Sequence, residues 1–540
     1  MSQTNSKRSN SITRLLPPLM VAAILLLVPS AQAAAPGITG GTGASATFDL
    51  TARASFISQP DGAMVYSWGY GCNTAPAGFN PPASIMPGAN CPTMQVPGPT
   101  LIVTEGQTVT VTLHNNLPPA AGNTSILFPG FQVTASPVDA TLTGPKQGLL
   151  TTEAPNGGTV TYTFTASTPG TRAYYSGTQA DLQVEMGLYG VVIVLPNTAN
   201  APTCPTHNTH AELATETDFR LSPTGAAFHH PDSCYDREYL FQFSEIDPKI
   251  HRQAEEQAGK TCPTGVTTGC MDVVTEPYHP AYFIINGRSM PDDMDPNYAP
   301  QYPHQPYNGN PHMHPGELVL LRILGTGRWQ HPFHEHGNHV RILARDGNLL
   351  LSASADPNNA GVNALSGPLL FTTTTTPGLA MDGIFYWTGK GLNWDVYGHN
   401  AANNPGCTAD TNGYNTGAGV LAASNYYEWC QDHLKALESA PFGDVGSGGP
   451  VTLPDATILA NGPWYGGSPY LGPDATGRAV GSTPIPPSGT VANDPGSEAG
   501  FAFMWHSHNE REITTNNIFP GGMMMMMLVD PRAFVINESN

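Results

Sequence analysis

Two short stretches carry most of this sequence's capacity for chemistry: His334-Glu335-His336 and His506-Ser507-His508. A His-x-His pair on a β-strand puts both imidazoles on one face, because strand side chains alternate. Two such strands side by side present four imidazoles to one point. Neutral imidazole is a good ligand for copper, zinc, iron or nickel. His334, His336, His506 and His508 are therefore the expected ligands of a metal ion.

Other polar residues stand near these pairs. Glu335 and Glu510 are close enough in sequence to orient histidines from behind, although the sequence does not fix their side of the strand. His312-Met313-His314 lies in a Pro/Asn/Gly-rich stretch with His304 nearby. A solvated loop is expected there, with a peripheral metal site as the alternative. Met523 to Met527 is an unbroken methionine run. Only alternate residues of a strand share a face, so core packing is expected over thioether ligation. No Ser-His-Asp arrangement, phosphate loop or dinucleotide fingerprint points to another enzyme class. Ser507 lacks the context of a hydrolytic nucleophile, and no catalytic residue is assigned.

The elements that must position these residues read as strands. Val96-Pro97-Gly98-Pro99 leads into Leu101 to Val103, then a Glu-Gly turn, then Val109 to Leu113 with apolar and Thr residues alternating. Val160 to Phe164 continues the pattern. The apolar run Val191 to Val194 suits a buried sandwich strand. Tyr239 to Phe243, Ile284-Ile285, Glu317 to Arg322 and Met523 to Val529 follow. The expected layout is all-β: tandem Greek-key sandwiches over 36–197 and 235–532, joined by a linker over 198–234. The second sandwich carries a Gly/Asn/Pro-rich insertion at about 391–500, with one helical candidate at Tyr426 to Leu437. A three-domain division, with the insertion forming part of a third, is the alternative.

Composition sets the compartment. Lys7, Arg8 and Arg14 precede a short apolar run, Leu19 to Val28, and Ala31-Gln32-Ala33 fits a signal-peptidase site. Residues 1–33 are expected to be a Sec-type signal peptide, since no twin-arginine pair is present. The run is shorter than the about 18 residues a span needs, so no membrane insertion is expected after cleavage. The destination is periplasmic, cell-surface or extracellular. Eight cysteines fall into local pairs: Cys72/Cys91, Cys204/Cys234, Cys262/Cys270 and Cys407/Cys430. Four disulfides are expected, although sequence alone leaves the connectivity open. With 21 Lys and Arg against 41 Asp and Glu, the net charge is −20. That excludes a nucleic-acid partner, which needs basic groups to neutralise phosphates. The sequence names no protein partner.

Four stretches in order resemble multicopper oxidases, which are built from cupredoxin-type sandwiches. They are VPGPTLIVTEGQTVTVTLHNNLP (Val96 to Pro118), GLYGVVIVLP (Gly187 to Pro196), HPFHEHG (His331 to Gly337), and HSH (His506 to His508) followed by Gly521-Gly522-Met523. The resemblance implies copper, held in that family by eight histidines in four pairs plus a separate blue copper on two His, one Cys and usually a weak axial Met. This chain departs from that set. Leu127 and Pro129 occupy the first pair's places, and Tyr175 and Gly177 the second pair's. Both last-domain pairs survive. His331 matches one blue-copper histidine, but Ser507 stands for the cysteine and Glu512 for the second histidine. A hydroxyl cannot supply the thiolate that makes the blue site a fast electron acceptor.

The expected function is thus a secreted copper-binding protein with a four-histidine half-site, lacking the family's route to four-electron oxygen reduction. Zinc or no metal are the alternatives to copper. A metal-free scaffold for protein or cell-surface binding is one competing reading. An oxidoreductase with a non-standard copper centre or ligands from a partner subunit is the other.

Overall fold

In the computed structural model, the described residues are 35–86, 88–204, 220–264, 266, 268–391, 408–414, 429–432, 467–471, 499–529 and 536. Two five-stranded sheets come from the first third of the chain. One contains Leu101–Thr104, Tyr189–Leu195 and Gly170–Tyr175; the other contains Ser45–Ser58, Met64–Cys72, Thr108–Asn115 and Thr159–Thr165. The alternation read from sequence sets the inner face. Val109, Val111 and Leu113 point inward against Val160, Tyr162 and Phe164. Both β-branched and aromatic residues suit such a half-buried pleated surface. Trp68, Tyr70 and Tyr174 fill the space between the sheets.

The rest of the chain builds an eight-stranded and a six-stranded sheet. Cys234–Ile246, Leu318–Gly325, Ala380–Tyr386 and Val340–Arg345 run through the first of these. The second is ordered His312–Met313, Met524–Val529, Ala499–Ser507, Pro332–His334 and Thr372–Thr374. Phe241, Phe243, Phe333, Phe385 and Trp505 pack between them. Met523, Met525 and Met527 face the same core, which is the packing role expected for the methionine run. The architecture is all-β, in cupredoxin-type sandwiches.

A buried ion cluster fastens the two sandwiches together. Arg322 Nη1 lies 3.2 Å from Asp382 Oδ1, and its Nε also donates to Glu238. Thr171, from the first sandwich, donates its Oγ1 to Asp382 at 2.5 Å and its backbone N–H at 3.1 Å. Asp382, Glu238 and Arg322 are essentially inaccessible. A buried charge is tolerated only when paired and hydrogen-bonded in this way.

Three expected disulfides are closed: Cys72–Cys91, Cys204–Cys234 and Cys262–Cys270. Cys430 is disulfide-bonded as well, while Cys407 lies outside the described residues. Residues 1–33, read from the sequence as a signal peptide, also lie outside them. No helix among the described residues is long and apolar enough to cross a membrane.

Several local expectations need correction. The stretch read as a linker contributes the edge strand Leu221–Ala226, antiparallel to Cys234–Ile246. Helix Pro248–Gln257 was not foreseen, although Asp247 caps it by accepting from Lys249 N–H at 2.9 Å and proline follows at the first helical position. Within the helix expected over Tyr426 to Leu437, the described residues 429–432 form a β-bridge from Trp429 to Tyr414 and then a turn. The remainder of that segment lies outside the described residues.

Candidate metal centre

Strands Pro332–His334 and Ala499–Ser507 are antiparallel neighbours, with Phe333 opposite Ser507 and His334 opposite His506. Both histidine pairs straddle strand ends, so His336 and His508 sit just past regular structure. The pairing continues in the bond from His508 N–H to Pro332 O at 2.8 Å. Trp505 anchors the other side, donating its indole N–H to His336 O at 2.9 Å.

The four rings form one cluster. His334 is centred 4.6 Å from His336, 4.8 Å from His508 and 5.7 Å from His506. His336 and His506 are 5.1 Å apart, and His506 and His508 5.5 Å. The Nε2 atoms of His336 and His506 are separated by 3.3 Å. Two ligands at roughly 2.0–2.1 Å on a tetrahedral ion stand roughly 3.3–3.4 Å apart, so this pair already has the spacing of one edge of such a site. His506 Nδ1 is 2.7 Å from Ser507 O. A carbonyl only accepts, so Nδ1 carries the proton and Nε2 keeps the lone pair that a metal needs. His334 Nδ1 meets Thr372 Oγ1 at 2.8 Å, which fixes that ring's orientation in the same manner.

Burial favours the neutral form of two of the rings. Burial, then the neighbouring histidines, push His334 down to about 4. Burial likewise lowers His506. His334, His336 and His506 are buried, while His508 is exposed and leaves the cluster open on that side.

The neighbouring residues fall out differently. Glu335 points away from the rings, as alternation demands, and its Oε1 accepts from Thr373 Oγ1 at 2.5 Å. Burial pushes its carboxyl up to about 8. Glu510 is exposed, and its charge reaches His506. His312 and His314 are buried rather than in a solvated loop. His312–Met313 forms a short parallel strand against Leu528–Val529, and Tyr239 donates its hydroxyl to His312 O. His304 is engaged through both ring nitrogens, with Ser55 Oγ and Met94 O.

His331 stands apart from the four-ring cluster. Its Nδ1 is 2.9 Å from Glu512 Oε2, and its Nε2 is 2.9 Å from Glu245 Oε2. Ser507 donates its hydroxyl to Glu512 Oε2 at 2.5 Å, and Asn509 donates to Oε1 at 2.9 Å. Glu245 Oε1 accepts the backbone N–H groups of Arg328 and Trp329 at 2.7 and 2.9 Å, and the Tyr278 hydroxyl at 3.2 Å. Burial works to lower the His331 imidazole, but its bonds and charge pairing with the two glutamates outweigh this and hold it at about 9.

Sequence reasoning missed Glu245 and Tyr278. A signal was present: the strand Cys234–Ile246 is buried throughout yet carries Asp236, Arg237, Glu238 and Glu245. Charges inside a strand of that kind require partners from elsewhere. A further group, His230, Asp232 and Asp356, brings ligand-type atoms within 4.8 Å of one another. Both His230 nitrogens are already engaged, Nδ1 accepting from Asp232 N–H at 3.1 Å and Nε2 lying 2.9 Å from Asn363 O.

Residues 91–199 match the family model described as multicopper oxidase. Among solved structures, the chain is similar to a blue copper oxidase from Nitrosomonas europaea at 15% identity, covering 89% of this chain and 85% of that one with a TM-score of 0.42. It is similar to the multicopper oxidase mgLAC at 16% identity, covering 90% and 86% with a TM-score of 0.41. A copper nitrite reductase from Nitrosomonas europaea is similar at 18% identity over 64% of this chain and 85% of that one, with a TM-score of 0.36. No curated protein sequence matches. Residues 91–199 are thus similar to multicopper oxidases, and the fold is of the cupredoxin type.

The copper sets of that family fit this chain only in part. In the first sandwich, Leu127 and Tyr175 exchange backbone hydrogen bonds at 2.7 and 3.3 Å, which brings the two former ligand segments side by side. No imidazole stands there among the described residues. A Cβ added at Gly177 would lie 2.8 Å from Leu127 Cγ, so the space between them is filled by leucine. The residues present do not fit a three-copper cluster. The mononuclear place does not fit copper either, because both nitrogens of His331 are bonded to carboxylates. The four-histidine cluster has the donor set for one ion.

Proposed function

We propose that this is an exported multicopper oxidase-like protein that holds one copper ion on His334, His336, His506 and His508. The proposal includes the division into sandwiches over 36–197 and 235–532 and export through residues 1–33. The observation that supports it most is the 3.3 Å approach of the His336 and His506 Nε2 atoms within a cluster of four rings. Bound copper would supply ligand binding or one-electron exchange. The chain's own residues supply orientation: Thr372 and the Ser507 carbonyl fix two rings, and Trp505 holds the backbone of a third. His334 and His508 would complete the ligand set. Storage, delivery or buffering of the metal follows from such a site, because no thiolate relay leads electrons into it.

Copper titration of the purified protein, followed by calorimetry and visible spectra, tests the reading. One equivalent should bind without an intense blue thiolate band. Replacing His506 and His508 together with Ala should abolish that equivalent while circular dichroism stays unchanged. Stoichiometric copper retained by the double variant would place the metal elsewhere and end the proposal.

A further inference from the structure

We propose that the place matched to the family's mononuclear copper is held by a metal-excluding ionic cross-link, Glu245–His331–Glu512, with His331 as a doubly protonated bridge. The argument is geometric. Each ring nitrogen of His331 lies 2.9 Å from a carboxylate oxygen. An ionised carboxylate only accepts, so both nitrogens donate, and a ring that donates from both nitrogens has no lone pair for a metal. All three side chains are buried, with 0–1% exposure. Two buried carboxylates around a neutral ring would leave both charges uncompensated, which is costly. The imidazolium offsets one of them, and it is the cation placed between the two.

The remaining acceptor capacity is also used. Ser507, at the cysteine's place, bonds Glu512, and two backbone N–H groups and Tyr278 bond Glu245. Tyr278 then donates to Glu185 Oε2 at 2.6 Å, and the Nε2 of His251 lies 3.6 Å from Glu185 Oε1. A chain of bonded polar groups thus runs from Ser507, between two of the clustered histidines, into the first sandwich.

The cross-link does a job that a metal would otherwise do. His331 precedes His334 by one strand, and Glu512 follows His508 after one turn. Bonding them joins the two histidine-bearing segments to each other, and Glu245 joins both to the strand Cys234–Ile246. His331, Glu245 and Glu512 are therefore positioning residues for the four rings. Substitution of comparable supporting partners in metal sites lowers affinity by roughly 10–100-fold.

The inference holds whether or not the four-histidine cluster takes metal, and the test separates the two. Histidines are labelled with ¹⁵N, and the ring N–H signals of the metal-free protein are recorded at pH 7. Two hydrogen-bonded N–H signals should belong to His331, identified by their loss in His331→Gln. Glu512→Gln, which keeps a hydrogen-bonding oxygen for Ser507, should shift the Nδ1–H signal more than the Nε2–H signal and serves as the assignment if the first variant fails to fold. An unprotonated His331 nitrogen would overturn the cross-link. So would copper bound by the His506→Ala/His508→Ala protein and lost on adding His331→Gln. If copper binds at the four rings, His331→Gln should weaken it at least tenfold without changing its stoichiometry. A fall in stoichiometry would show that His331 is itself a ligand.

Discussion

His334 stands directly across from His506 in the antiparallel pairing of Pro332–His334 with Ala499–Ser507. Sequence separation between them is large, so the cluster exists only because two sheets' worth of chain brings those strands together. Its geometry depends on what holds the strand ends: Trp505 and the His508–Pro332 bond directly, and the bonds around His331 behind them.

Stability should therefore depend on pH through His331. Its folded value is about 9, against about 6.5 for an unperturbed histidine. A raised value means that the folded state holds the proton more tightly. The contribution is complete below about 6.5 and is lost as pH rises through about 9. Its ceiling is roughly 3 kcal/mol, at 1.36 kcal/mol per unit. The groups facing the ring are Glu245 and Glu512, with Tyr278, Glu185 and Arg328 behind Glu245. Urea unfolding of the wild type and His331→Gln between pH 6 and 10 checks this. The difference in stability should shrink with rising pH. A difference independent of pH would mean that the ring is not charged in the fold.

The fold was legible to the extent that periodicity reports it. Thr108–Asn115 and Thr159–Thr165 alternate cleanly because one face is core and the other is solvent. The meeting of the four histidines was legible because each pair begins on a strand and the two strands are neighbours, whereas the strand ends that leave His336 and His508 outside regular structure were not. The burial of His312 and His314 was not, because a Pro/Asn/Gly-rich stretch gives the composition of a loop, and only the distant strand Met524–Val529 buries it. Glu245 was likewise invisible as His331's partner, since the contact joins residues 86 apart. Long-range pairing of charges leaves no local pattern to read.

The junction between the sandwiches makes a second prediction, which magnitude decides. Asp382 compensates Arg322 where neither reaches solvent, while Arg328 and Glu276 pair with the glutamate 69% exposed. Asp382→Ala leaves Arg322 bonded to Glu238 but deprives the buried Thr171 donors and one guanidinium N–H of their acceptor. The cost should approach, without exceeding, the about 3–5 kcal/mol of a broken buried pair. An exposed pair is worth about 0–1 kcal/mol. Asp382→Ala should lower the denaturation midpoint sharply, and Glu276→Ala should barely move it. Equal effects would mean that Arg322 finds another partner or water when Asp382 is removed.

The last prediction concerns the first-sandwich ligand places, where the question is whether they are vacant or built over. Leu127 and Gly177 lie on neighbouring segments, and a Cβ at Gly177 would come 2.8 Å from Leu127 Cγ and 3.1 Å from both of its methyl carbons. That is closer than van der Waals contact permits, so the leucine must shift. Overpacking of this kind costs about 1–3 kcal/mol. Leu127 is only partly buried, which gives it room to move and favours the lower end. Gly177→Ala alone should destabilise by about 1 kcal/mol. In a Leu127→Ala background the same change should be neutral, because the obstructing atoms are gone. The coupling energy from that double-mutant cycle is the measurement. A cost that persists without Leu127 would locate the constraint in the Gly177 backbone instead, and the leucine would then not be what fills the former ligand space.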